Sequence, residues 1–498
     1  MFKKYIENQK EEMIKELQSL ISIRSVSKPH ADGTSKPFGE GPNDALIYFL
    51  NLANKLGFRT KNVDGYCGYA EFGEGEELLG IIGHLDVVPE GENWTYPPFS
   101  GTVADGKIFG RGAIDDKGPV ISSLYAMKAV KTYLEEHNLQ LQKRVRLIVG
   151  LNEESNWECI NYYKAHEEIP TVSFSPDADF PCIYAEKSVL TEYFEMDYSK
   201  QDSDKIVLEE LNDYQNAINV VPKICSAVLK IDINQIPIQD AITTLQEILL
   251  QKNTLQENTS QKNILQKNQE AEKFKFDIKQ IGNDKIELTS YGIQAHAAHP
   301  DLGVNAISNM LIILNEFCQN YNVSIPLFSL FQKYIATEID GHSCGISCED
   351  ESGKLTLNVG QLHFNDSATS NGNTIVIGLN LRVPVTTDPM AVHDKFKELI
   401  NQYPSITLKE PSINKALYLS KEDKLVKTLC KIYNETTNSQ EEPIAIGGAT
   451  YARAFPNCVS FGANLPGQKD MCHQTDEFIS VDNLLLASLL YAEAIYEL

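Results

Sequence analysis

The chain has 498 residues, 42% of them hydrophobic, enough to bury the cores of roughly two to four domains. Its 68 acidic residues outnumber 44 basic ones, and the resulting formal charge of −24 disfavours nonspecific binding to nucleic acid or anionic lipid and favours cations as partners. No stretch near Met1 resembles a signal peptide and no run reaches membrane-spanning length, while ten scattered cysteines without a dense framework read as reduced thiols, so a cytoplasmic protein is expected.

Ile6, Met13, Leu17, Leu20 and Ile21 open the chain with an amphipathic helix pattern. Four short apolar runs follow at 78–82, 108–109, 145–151 and 171–174, rich in β-branched or aromatic residues and short enough to be buried strands. Between the second and third, Val120, Leu124, Met127, Val130 and Leu134 fall at helical spacing, so strand, acidic loop and helix alternate in the α/β manner. A different region begins near Ser188, with a strand at 190–194 and a polar loop at 197–205. The Gln, Lys, Asn and Leu tract at 251–269 is a short near-repeat with few apolar anchors, read as an exposed loop or helix extension without a function of its own. A strand at 374–381 closes the middle region, and α/β character returns near Val385, with a strand at 458–462 and a closing helix at 481–498. The expected organisation is therefore a discontinuous catalytic domain, 1–187 and 385–498, with 188–384 inserted.

Each early run leads to a cluster of ligand-type residues. These are Gly83-His84-Leu85-Asp86-Val87-Val88-Pro89, then Gly110-Arg111-Gly112-Ala113-Ile114-Asp115-Asp116-Lys117-Gly118, Asn152-Glu153-Glu154-Ser155, and Ser175-Pro176-Asp177. Far downstream comes Cys472-His473-Gln474. In α/β sheets such groups gather beyond the carboxyl ends of the strands, so convergence follows from order alone.

Imidazole and carboxylate ligands without thiolate suit zinc, manganese or cobalt. His84, Asp115, Glu154, Asp177 and His473 are too many for one catalytic zinc. If Asp115 bridges two ions, each receives three protein ligands and keeps a position for water. The charges also close, since two divalent cations balance three carboxylates and one bridging hydroxide. Glu153, beside ligand Glu154, is the candidate general base. Asp86, two residues after His84, can accept the imidazole's other N–H and set its tautomer. The group His342, Cys344 and Cys348 lacks a fourth ligand and is read as ordinary thiols.

These clusters resemble the dinuclear zinc peptidase and deacylase superfamily that includes acetylornithine deacetylase, succinyl-diaminopimelate desuccinylase, carboxypeptidase G and carnosinase. The resemblance spans nearly the whole chain and is nearest to the PepV type of bacterial dipeptidase. It is carried by 84–89 with Trp94 and Pro98-Phe99, by 110–118, by Pro176-Asp177-Ala178, Glu186-Lys187 and Gly447-Gly448-Ala449-Thr450-Tyr451-Ala452-Arg453.

The resemblance implies a zinc-peptidase-like α/β catalytic domain, its mixed sheet flanked by helices, and an inserted α+β lid. Its metal assignment is His84 and Asp177 on one ion, Glu154 and His473 on the other, and Asp115 between them. Glu153 becomes the base, and Asp116 a neighbour. His296, in Gln294-Ala295-His296-Ala297-Ala298-His299-Pro300, looks like the lid histidine that steadies an oxyanion. Asn219 and Arg382 resemble lid residues that hold substrate, the guanidinium fork suiting a C-terminal carboxylate that Gly447 and Gly448 let backbone N–H groups approach. Asn152 replaces the commoner aspartate before the Glu pair, and Ala449 a common glycine. The expectation is a monomeric metallo-dipeptidase acting on small peptides, with neither nucleic acid nor membrane as partner. An N-acyl-amino-acid deacylase of the same superfamily is the alternative, sharing every ligand.

Overall fold

The apolar run at 78–82 lies within the strand Glu77–His84, flanked in parallel by Lys143–Gly150 on one side and Val172–Ser175 on the other. These three strands are the centre of a nine-stranded mixed sheet in the computed structural model, which describes residues 1–28, 35–198, 205–214, 217–260, 274–365 and 374–498. Its order is Arg59–Val63, Cys67–Gly73, Lys143–Gly150, Glu77–His84, Val172–Ser175, Cys458–Ser460, Ile183–Glu186 and Leu417–Tyr418, with Ile444–Ile446 also on Ile183–Glu186. Strands buried on both faces need continuous apolar sequence, and Leu78, Ile81, Ile82, Val145, Leu147 and Ile148 are all fully buried.

The helical spacing after Asp115 appears as Lys117–Glu136, which packs against Lys3–Ile21 and Val481–Glu497. Val120, Leu124, Met127 and Val130 are fully buried along it, each such side chain contributing about 1.5–3 kcal/mol by leaving water. Ser480 starts the closing helix by accepting the N–H of Asn483 at 3.0 Å. One expected strand lies elsewhere: Lys107–Phe109 joins a separate three-stranded sheet with Thr102–Ala104 and Phe478–Ser480.

The chain divides into two units, Met1–Glu186 with Leu417–Leu498, and Lys187–Ala416. The second is built on a nine-stranded antiparallel sheet ordered Lys275–Ile281, Lys285–Tyr291, Ile224–Ile231, Ile206–Asn212, Thr356–Asn365, Thr374–Val383, Ser188–Asp197 and Ile406–Leu408, with Ser412–Asn414 also on Ser188–Asp197. Its helices include Ile238–Ser260, Ala306–Asn320, Pro326–Tyr334 and Pro389–Ile400.

The sequence boundary at Pro384 is corrected to Ala416, because 385–416 completes the second sheet. Ile406–Leu408 pairs with Phe194, Glu195 and Met196, Ser412–Asn414 pairs with Val189, Leu190 and Thr191, and Phe396 packs edge-on to Phe194 at 5.3 Å. Of the polar tract at 251–269, residues 251–260 continue a helix and 261–269 lie outside the described residues. So do 199–204 of the polar loop. Among the described residues, no helix is long and apolar enough to cross a membrane.

Candidate metal centre

Three of the five expected ligands follow the carboxyl ends of the three adjacent parallel strands. His84 ends Glu77–His84, Glu154 stands four residues beyond Gly150, and Asp177 two beyond Ser175. Asp115 comes from the loop before helix Lys117–Glu136, where the Asp115–Asp116 peptide is cis. His473 comes from a late loop in which its own φ is +63°.

The five converge as two groups that share Asp115: His84, Asp115 and Asp177, and Asp115, Glu154 and His473. Asp115 turns one oxygen to each histidine, Oδ1 lying 3.0 Å from His84 Nε2 and Oδ2 3.1 Å from His473 Nε2. His84 Nε2 is also 3.6 Å from Asp177, and His473 Nε2 3.1 Å from Glu154. Ligands about 2 Å from a tetrahedral zinc stand about 3.3 Å from one another, so these spacings fit donors around a shared cation.

The electrostatics agree. Burial, reinforced by Asp115, pushes Glu154 up to about 7, and burial also lifts Asp177, to about 6. Burial opposes the Asp115 charge, yet hydrogen bonds from His473 and His84 hold that carboxyl well below the usual range. His473, bonded to Asp115 and Glu154, is raised to about 11. At His84 burial favours the neutral ring, but Asp177, Asp115 and Asp86 outweigh it and push the value well above normal. Three carboxylates and two imidazoles thus face one another in a largely buried pocket, a donor set that a cation would suit. Among the described residues, His342, Cys344 and Cys348 form no such group.

His84 Nδ1 lies 3.0 Å from the backbone carbonyl of Asp86 and 3.4 Å from its carboxylate, so the nearer partner is the main chain. The Asp86 carboxylate is engaged elsewhere, accepting the N–H groups of Glu153 and Glu154 at 3.1 Å each. The fully buried Asp116 accepts the His84 N–H at 3.1 Å. Burial holds the Glu153 carboxyl well above the ordinary range; His84 opposes the shift, and Asp177, Glu154 and Asp115 add to it.

Gly447 and Gly448 follow the strand Ile444–Ile446 in the same unit. Their loop is secured by the fully buried Glu186, which accepts from Thr450 Oγ1 at 2.7 Å and from Arg453 Nε at 2.8 Å. Arg453 in turn donates to the Gly448 carbonyl at 2.7 Å.

The three remaining candidates belong to the second unit. His296 pairs with Val220, and the Ala297 N–H donates to the Asn219 carbonyl at 2.9 Å, so Asn219 and His296 are neighbours. His296 Nδ1 accepts the Ala298 N–H at 3.2 Å, which leaves the neutral ring's proton on Nε2. Arg382, near the end of Thr374–Val383, donates from Nε to Asn380 at 3.0 Å. Asn380 is in register with Asn358, whose side chain donates to the Val220 carbonyl.

Sequence reading missed two pairings: Glu186 with Arg453, and Arg111, in the Asp115 loop, with Glu477, to which it donates at 2.5 Å. Their only signal was a charged residue inside an otherwise apolar or ligand-bearing motif, such as a carboxylate four residues after His473.

The fold, and a site whose candidate metal ligands form two groups sharing Asp115, are those of a metal-dependent hydrolase. Residues 80–497 match the model of Peptidase family M20/M25/M40, and the chain belongs to that family; it is a peptide hydrolase. It is 38% identical over 496 residues to "Putative dipeptidase YtjP" of Bacillus subtilis (strain 168), covering 98% of this chain and 97% of that one. It is 33% identical to a "Putative dipeptidase" of Staphylococcus epidermidis (strain ATCC 12228 / FDA PCI 1200), covering 100% of this chain and 99% of that one. The fold is shared with human carnosine dipeptidase 1 (TM-score 0.53, 14% identity, 99% and 97% covered) and with aminopeptidase PepT of Bacillus cereus (TM-score 0.54, 15% identity, 98% and 99% covered).

Proposed function

We propose that this enzyme hydrolyses dipeptides bearing a free C-terminal carboxylate, with two divalent cations, zinc foremost, held at the Asp115 centre. One observation carries the reading: Asp115 belongs to two ligand sets at once, while Glu153, beside ligand Glu154, belongs to neither. His84 and Asp177 would hold one cation, Glu154 and His473 the other, and Asp115 both. Bound there, such cations polarise the scissile carbonyl and acidify the attacking water.

Glu153 takes the proton that the water sheds and returns it to the leaving amine. Asp86 acts through the main chain of Glu153 and Glu154, which makes it a positioning residue. His296 donates from Nε2 to the developing oxyanion. Arg382, Asn219 and the N–H groups near Gly447 and Gly448 grip the substrate's carboxylate end.

In this reading Lys187–Ala416 is the lid, and a lid of that size lets a monomer work alone. Mixing inactive Glu153→Ala chains with inactive His296→Ala chains should then recover no activity. The test of the activity is a dipeptide library digested by metal-reconstituted protein beside N-acetylated amino acids. Free dipeptides are expected to be cut faster; preference for the acylated compounds would make the enzyme a deacylase.

A further inference from the structure

His473 is the least protected of the five ligands. Its side chain is 52% exposed, whereas that of His84 is fully buried, so packing alone does not hold it. Its left-handed φ sits on a non-glycine residue, a conformation that persists only where neighbouring contacts impose it.

Those contacts come from Arg111, which is 362 positions earlier than His473 and only 2% exposed. One arm of its guanidinium, Nη2, reaches the carbonyls of His473 at 3.3 Å and Pro89 at 3.5 Å. The other, Nη1, donates to Glu477 Oε2 at 2.5 Å and to the Gln474 carbonyl at 3.4 Å. Glu477 is fully buried, and its second oxygen accepts the N–H groups of Ile114 at 3.0 Å and Asp115 at 3.3 Å. The pair thus ties the His473 loop to the backbone of the shared ligand Asp115.

A buried ion pair is a poor device for stability, since desolvation offsets most of its attraction. It is a good device for geometry, because a planar fork and a carboxylate fix direction as well as distance. Among the described residues Arg111 Nε meets no partner, so the two Nη groups are the part of the fork in use.

We propose that Arg111 and Glu477 are positioning residues that set His473 against Asp115 and so form the second cation position, the one made by Asp115, Glu154 and His473. The inference rests on the two-cation reading above. Lysine at 111 keeps a positive charge for Glu477 but gathers its three N–H donors on one nitrogen, which cannot span the four acceptors, Glu477 and the carbonyls of Gln474, Pro89 and His473, that two separate Nη groups reach.

The test is zinc content after dialysis against graded chelator, for the native protein, Arg111→Lys, Glu477→Gln and His473→Ala, with the thermal midpoint of each metal-free form. Native protein should retain two ions. Arg111→Lys should keep one tightly and hold the second about 10–100-fold more weakly, the usual effect of losing an outer partner of a metal ligand. With one equivalent of cobalt its absorption spectrum should match that of His473→Ala, and its metal-free midpoint should stay close to native. Glu477→Gln, of the same size, should weaken the same ion. Two ions held with native affinity in both Arg111→Lys and Glu477→Gln would overturn the assignment, as would equal weakening of both ions. Fewer than two ions in the native protein would instead overturn the two-cation reading, and this inference with it.

Discussion

Replacing Asp86 by asparagine isolates the smallest change that should disturb the Glu153–Glu154 turn without removing a ligand. Asp86 is fully buried, and each carboxylate oxygen accepts one backbone N–H at 3.1 Å. Asparagine keeps one acceptor oxygen and turns an NH2 group toward the other N–H. One hydrogen bond to a charged group is lost, worth about 1.5–3 kcal/mol, and two donors now face each other. If about half of that cost falls on the placement of Glu153 in the transition state, at about 1.4 kcal/mol per tenfold, kcat should fall roughly 3–12-fold. The remainder should appear as a lower urea midpoint with an unchanged slope. The assay is steady-state dipeptide hydrolysis by metal-saturated protein, with zinc content measured on the same samples. Full activity together with a native urea midpoint would refute the account. So would loss of both metals, which would place Asp86 in ligand support rather than in holding the Glu pair.

Glu153→Ala should retain both cations and lose roughly two or more orders of magnitude in kcat, because its carboxylate moves protons and binds no metal; metal analysis beside single-turnover rates checks both halves. Chelation should abolish hydrolysis and two equivalents of zinc per chain should restore it, with affinity falling as pH drops because protons compete for His84 and His473, which calorimetry in buffers of different ionisation enthalpy reads directly. In the second unit, burial raises the Glu192 carboxyl to about 8, and Glu192 lies 2.9 Å from His393, whose own value burial lowers. A raised carboxyl contributes stability that is fully present below its unfolded value, near 4.5, and is lost as pH rises through about 8. Above the ordinary histidine value His393 is neutral whether folded or not, so between about pH 7 and 8 the native protein should lose denaturant stability relative to Glu192→Gln. Parallel stability curves for the two proteins over that window would show that Glu192 is ionised in the folded state.

Four of the five candidate ligands are each tied to a local signal in the chain. His84, Glu154 and Asp177 follow strands whose apolar runs are unmistakable, and Asp115 precedes a helix with clear periodicity. Local pattern also located the start of the second unit near Lys187. It misplaced the end, since strands as short as Ile406–Leu408 and Ser412–Asn414 carry too few residues to declare a partner, and pairing with Ser188–Asp197 decided where they belong. Asp86 shows the same division: its place beside His84 was readable, but its use by two N–H groups 67 and 68 positions away was not.

What the sequence determined by itself was therefore chemistry and order: which side chains can ligate, which can carry a proton, and that strand ends present them in turn. What only the tertiary structure decided was pairing at long range, as between Arg111 and Glu477, 366 positions apart, or Glu186 and Arg453, 267 apart. Periodicity reports which face of an element is buried, whereas a buried charge finds its partner only when the whole chain has closed around it.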